Sequence, residues 1–184
     1  MRAFVLFGLL FLTFLTSFVQ GYQSIRYSYT GRNLRIIAAL KTADSVYALP
    51  AFWENLRAYP QQKIDTSTYT MQMLADTLMA YKGPVAVVKR TYWPYPHATA
   101  MTDNQSITVT PGGYHQRGKY FLAMTFIHEW AHVVDYTLHP SPKLLQFPHY
   151  ADQAPCLNKD TASYRVERVA AVLLGGKDFA LECN

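Results

Sequence analysis

Phe126-Ile127-His128-Glu129-Trp130-Ala131-His132-Val133-Val134-Asp135 is the stretch on which the reading of this chain turns. It lies inside an apolar run from Tyr120 to Leu138, and from Phe121 to Val134 the only charged residue is Glu129. On a helix, His128 and His132 fall on one face, one turn apart. Two imidazoles in that relation can grip one Zn²⁺. Glu129, beside the first of them, is within reach of a zinc-activated water whose proton it can accept. A buried helix that keeps one carboxylate between two histidines needs a partner for that charge, and a metal supplies one. The plainer alternative is two ordinary helix histidines with a solvated glutamate, and the apolar setting argues against it.

A catalytic zinc takes three protein ligands and keeps one position open. A third histidine of the metzincin type is excluded. Position 135 is Asp where that pattern has Gly, position 138 is Leu, and Met124 is the last methionine, so no downstream Met-turn exists. His139, just before Pro140, reads as the polar end of the helix, favoured there by the macrodipole. Asp135 lies seven residues after His128, on the same side of the helix. It reads as an orienting carboxylate or an anchor for a neighbouring segment, with direct ligation the lesser alternative.

Glu167 is the stronger third ligand. It is the only Glu between Glu129 and Glu182, and it lies in an apolar helical run, Tyr164 to Leu174. Asp160 is the expected N-cap and Gly175-Gly176 the expected stop. A carboxylate on a second helix can complete a His₂Glu donor set. The competing reading is an ion pair with Arg165 or Arg168 on a surface stripe. Tyr164 is one turn before Glu167, so its phenol can share that face and donate to the oxyanion of a tetrahedral intermediate. Tyr114, Tyr136 and Tyr150 compete for that role in a chain of 14 tyrosines.

At these residues the chain resembles the anthrax lethal factor-like metallopeptidases. His128-Glu129-Trp130-Ala131-His132-Val133-Val134-Asp135-Tyr136 is similar to their active-site helix, with an aromatic then a small residue inside the pentad and Val-Asp after it. Glu167-Arg168-Val169-Ala170 is similar to the later helix that carries their third ligand. The resemblance covers about twenty residues in two pieces. It implies a gluzincin-type zincin in which His128, His132 and Glu167 bind zinc, Glu129 is the general base and a downstream Tyr assists the oxyanion. The Tyr-to-Glu spacing is shorter here than in the toxin, which leaves the choice of tyrosine open.

Further out, Met1-Arg2 followed by an apolar run from Ala3 to Val19 and then Val19-Gln20-Gly21 reads as a secretory signal peptide over residues 1–21. An uncleaved membrane anchor is the alternative. Residues 22–184 then form a single domain, with no repeat and no low-complexity tract. No later stretch can cross a bilayer without His, Glu or Asp in it. Cys156 and Cys183 are an even pair in an exported chain, which suggests one disulfide. The net charge of +5 includes Arg2 and is spread without a Lys/Arg cluster, so neither nucleic acid nor an anionic membrane is the expected partner. Asn104-Gln105-Ser106 is an N-glycosylation sequon.

The remaining segments follow from periodicity and breakers. A short strand is expected within Ser24–Tyr29. A helix is expected over Leu34–Leu49, with Leu34, Ile37, Ala38 and Val46 on its apolar side, then a short helix over Ala51–Tyr59. Ser67–Tyr81 reads as helical, with Met71, Leu74, Leu78 and Met79 on one face and Gly83-Pro84 as the stop. Val85–Val88 reads as a buried strand. Ala98–Met101 and Ser106–Thr110 read as two strands around a turn, and either can be the sheet edge that pairs with an extended substrate. The expected fold is α+β and zincin-like, a small mixed sheet packed on the active-site helix with a mostly helical C-terminal part. The expected function is a secreted, zinc-dependent metallopeptidase acting on peptide or protein substrates. A cell-wall amide or peptide hydrolase is one alternative. A catalytically inactive secreted interaction module on the same fold is the other, and Glu129 argues against it, because a structural zinc needs no base.

Overall fold

The computed structural model describes residues 21–65, 67–92, 100–112, 115, 118–141, 143, 145–148 and 160–175. Residues 1–20 of the expected signal segment, Tyr114, Tyr150, Cys156, Cys183 and the C-terminal tail lie outside them. The fold is α+β: the described residues form a five-stranded mixed sheet and five helices, with a mostly helical C-terminal part. The strands are β1 (Tyr22–Gln23), β2 (Tyr27–Tyr29), β3 (Ala86–Arg90), β4 (Ala100–Asp103) and β5 (Ser106–Val109). The helices are α1 (Leu34–Tyr47), α2 (Pro50–Arg57), α3 (Met71–Ala80), α4 (Lys119–Leu138) and α5 (Ala162–Leu173).

Local chemistry sets most of these boundaries. Ser24 is a turn residue, not a strand residue: its Oγ accepts from the N–H groups of Arg26 and Tyr27. The expected strand over 24–29 is therefore only Tyr27–Tyr29. Asn33 caps α1 through Oδ1, which accepts from Arg35 and Ile36. Pro50 begins α2 rather than merely interrupting α1, because a first-turn residue needs no N–H partner. Thr70 caps α3 by accepting from Met73, so that helix starts four residues later than expected. Asn104 turns the β4–β5 hairpin with φ +48°, a left-handed conformation that Asn tolerates.

The sheet order is β1-β2-β3-β5-β4, with β2–β3 and β3–β5 parallel and the outer pairs antiparallel. Tyr27, Tyr29, Ala86, Val88, Ile107 and Val109 are buried on one face, against the helices. The strand expected to be wholly buried is not: Val87 is 42% exposed and Lys89 points outward with it. One face of the sheet is solvated, so alternation replaces a continuous apolar run. Of the two edge candidates, β4 holds that position among the described residues and β5 lies inside.

Helix α4 is the centre of the core. Every residue from Leu122 to Asp135 except His132 is buried, with α1, α5 and the sheet around it. Two buried phenols fix the turn where the histidine pair begins. Tyr27 donates to the Phe126 carbonyl at 3.0 Å and Tyr47 to the Ile127 carbonyl at 3.2 Å. Trp130 packs edge-on against Tyr47 and Tyr81. The apolar face of α1 is Ile36, Ala39, Leu40, Ala43 and Val46, not the expected one. Leu34 is 78% exposed and only Val46 of the named set is buried, because α1 packs chiefly on α4 with its other side.

Helix α5 lies on α4 through Ala162, Val166, Val169 and Ala170. Asp160 is not its N-cap. Thr161 holds that position without a side-chain bond, and Asp160 faces the guanidinium of Arg165 at 3.5 Å. Arg165 is fully buried and donates to the carbonyls of Gln61 and Lys63, which ties α5 to the segment before α3. Gly175, at φ +71°, ends the helix as expected. No helix among the described residues is long and apolar enough to cross a membrane.

Candidate functional site

His128, Glu129 and His132 come from the middle of α4, where packing on three sides holds the backbone. The two imidazole centroids are 5.2 Å apart. Across the helix pair, Nδ1 of His128 lies 2.9 Å from Oε2 of Glu167, a contact between residues 39 apart in sequence. The Tyr164 ring stands edge-on to His128 with centroids 4.6 Å apart. The structure thus brings together His128, His132, Glu129, Glu167 and Tyr164. The competing ion-pair reading of Glu167 loses its partners: Arg165 serves backbone carbonyls, and Arg168 donates to the Tyr59 hydroxyl at 2.8 Å.

The electrostatics follow from burial and crowding. Burial alone would push His128 down. The hydrogen bond and charge of Glu167, with the charge of Glu129, outweigh it and hold the imidazole above its ordinary value. Burial raises the Glu129 carboxyl and the charge of Glu167 adds to that, while His128 and a hydrogen bond from Thr102 offset part of it. Burial and the same two carboxylates raise the Tyr164 phenol, so it stays protonated and can donate near neutral pH.

A stability prediction follows for the metal-free chain. His128 and Glu129 both hold protons more tightly folded than unfolded. Their contribution is full below the unfolded values and is lost as pH rises through the folded ones. The denaturation midpoint in chelator is expected to fall from about pH 5 to about pH 8. A midpoint that rises over that range would contradict this account.

Beside the cluster lies a cleft of about 370 Å³. Its walls are β4, through Ala100 and Thr102, and the segment 145–148, through Leu145 and Phe147; Glu129 and His132 open onto it. Thr102, expected in the turn between the two strands, is instead the third residue of β4. Its Oγ1 lies 2.6 Å from Oε2 of Glu129 and 3.2 Å from the Glu129 carbonyl. Strand alternation alone would put it on the same face as Ala100, but only the three-dimensional pairing shows that this face meets α4.

Asp135 builds the opposite wall. It is 1% exposed and accepts from the backbone N–H groups of Gln146 and Phe147, and from Nδ1 of His139 at 2.8 Å. Both its oxygens are engaged, so it anchors the 145–148 segment and is not a free donor for a metal. Gln146 continues the tie through Oε1, which accepts from Thr68. Asp135→Asn presents an amide where two N–H donors expect an acceptor. It should cost about 3 kcal/mol of stability in urea unfolding, and a loss under about 1 kcal/mol would refute the anchoring role.

The chemistry of the donor set fits a divalent cation. A buried carboxylate, a half-buried one and two imidazoles crowd together, and Glu129 is held at a cost that a positive charge would relieve. The donors are neighbours but not converged. Among the described residues no three His, Cys, Asp or Glu side chains form a ready metal-holding group, and Glu167 meets His128 at Nδ1. Compared with known proteins, the chain matches no protein-family model, no curated protein and no solved structure.

Proposed function

We propose that this chain is a zinc-dependent metallopeptidase of the gluzincin kind, on a zincin-like fold, exported and acting on peptide or protein substrates. The observation that carries the reading is the meeting of Glu167 with the His128 side of the His-Glu-x-x-His helix at 2.9 Å. Two histidines of one helix that share an ion need a third donor from another element, and Glu167 on α5 is the carboxylate that reaches this pair. His128, His132 and Glu167 would hold Zn²⁺, which when bound supplies Lewis-acid polarisation of a peptide carbonyl and acidifies a water molecule.

The chain's own residues do the rest. Glu129, on the cleft side of the helix, accepts the proton of the attacking water and returns it to the leaving amine. Its buried setting disfavours the ionised form, and a cation beside it would restore that form near neutral pH. Tyr164, kept protonated, is the donor available to the developing oxyanion. Among the described residues β4 is the sheet edge beside the cleft, along which an extended peptide can add as a further strand.

The deciding experiment is metal analysis of the purified chain beside a cleavage assay on a diverse peptide mixture, with and without chelator. The expected result is one zinc per chain and chelator-sensitive hydrolysis. A chain that binds no zinc, or a loaded chain that cleaves nothing, would sink the proposal.

A further inference from the structure

We infer that Thr102 is a positioning residue for the general base: its hydroxyl fixes the Glu129 carboxylate from the edge strand that lines the cleft. The inference rests on the peptidase reading above. Oγ1 to Oε2 is 2.6 Å, a short bond of the charge-assisted kind, and it leaves Oε1 as the oxygen free to take a proton. The geometry behind it is rigid on both sides. Glu129 is buried in the middle of α4. Thr102 is held in register opposite Ile107, the fully buried residue of β5. A glutamate has three side-chain torsions, and without a fixed contact its carboxylate spreads over several rotamers. Because Thr102 belongs to the strand proposed to pair with substrate, one residue sets both the peptide's track and the base beside it.

A merely structural role is also open to this hydroxyl, since it tethers a hairpin to a helix. The two roles separate experimentally. Thr102→Val keeps the side-chain shape and removes the donor, whereas Thr102→Ser keeps the donor. In the zinc-loaded chain, Thr102→Val should lower kcat about tenfold with zinc content and KM essentially unchanged and a modest fall in Tm, and Thr102→Ser should stay within about threefold of the parent. If Thr102→Val proves unfolded, Thr102→Ala is read by the same criteria. An active parent whose kcat does not respond to loss of the hydroxyl overturns this inference alone. So does a loss confined to KM or Tm, or a serine variant as poor as the valine one. A zinc-loaded parent that hydrolyses no peptide overturns the peptidase reading and this inference with it.

Discussion

Glu129→Gln should keep zinc at one ion per chain and lower kcat by about a thousandfold, the scale set by loss of a positioned proton acceptor. Gln has the shape of Glu and still offers an oxygen to the Thr102 hydroxyl, so the cleft wall should not move. What disappears is the basic oxygen. The substitution has a second consequence that catalysis does not enter. The Glu129 carboxyl is nearly fully buried, and burial together with Glu167 works against its ionised form. Removing that charge removes the penalty, so the metal-free Gln variant should be more stable than its parent at neutral pH. Denaturant unfolding in chelator measures this directly. A variant that retains turnover would remove Glu129 from the mechanism. A metal-free variant less stable than its parent would mean that the carboxylate is better accommodated than its surroundings indicate.

How much of this could be read from the chain differs from element to element. Helix α4 was legible because its signal is local: a long apolar run, one charge and two histidines a turn apart. The end of α5 at Gly175 was legible for the same reason. The face of α1 was not. Its apolar residues are spread widely enough that helical spacing admits several faces, and the choice is made by α4, on which it packs, which leaves Leu34 in solvent. The solvated face of β3 was hidden similarly, since Val85–Val88 is apolar at every position and only the one-sided sheet leaves Val87 exposed. Residues that act across long sequence separations were the hardest. Glu167 could be picked out because no other Glu lies nearby in sequence. Thr102 had nothing to mark it, because its meaning arises only from the register that brings β4 against α4. Asp135 was half legible. Its place on the helix announced an anchor, but the anchored backbone of Gln146 and Phe147 could not be named.

Glu167→Ala should release most of the zinc, and the size of that loss decides what Glu167 does. As a metal ligand its removal leaves two imidazoles, and affinity should fall by more than about a hundredfold, beyond the range that an orienting partner commands. The present contact also supports the orienting role, because Oε2 meets Nδ1 of His128. A carboxylate there fixes the imidazole tautomer and leaves Nε2 for the ion, and its loss costs about ten- to a hundredfold in affinity. Competition titration against a chromophoric chelator resolves the two ranges. The spectrum of the cobalt-loaded chain gives an independent readout, since loss of a coordinating oxygen changes the ligand field and loss of a hydrogen bond to a ligand barely does. The metal-free variant should respond as well. Without Glu167 the forces that hold His128 protonated shrink to the charge of Glu129, burial regains the upper hand, and the imidazole should titrate lower than in the parent. The fall in stability with rising pH should shrink with it, because a histidine held below its ordinary value gains stability as pH rises. Full zinc occupancy at the parent's affinity in Glu167→Ala would remove Glu167 from the metal centre altogether, and the third donor would then have to be sought elsewhere in the chain.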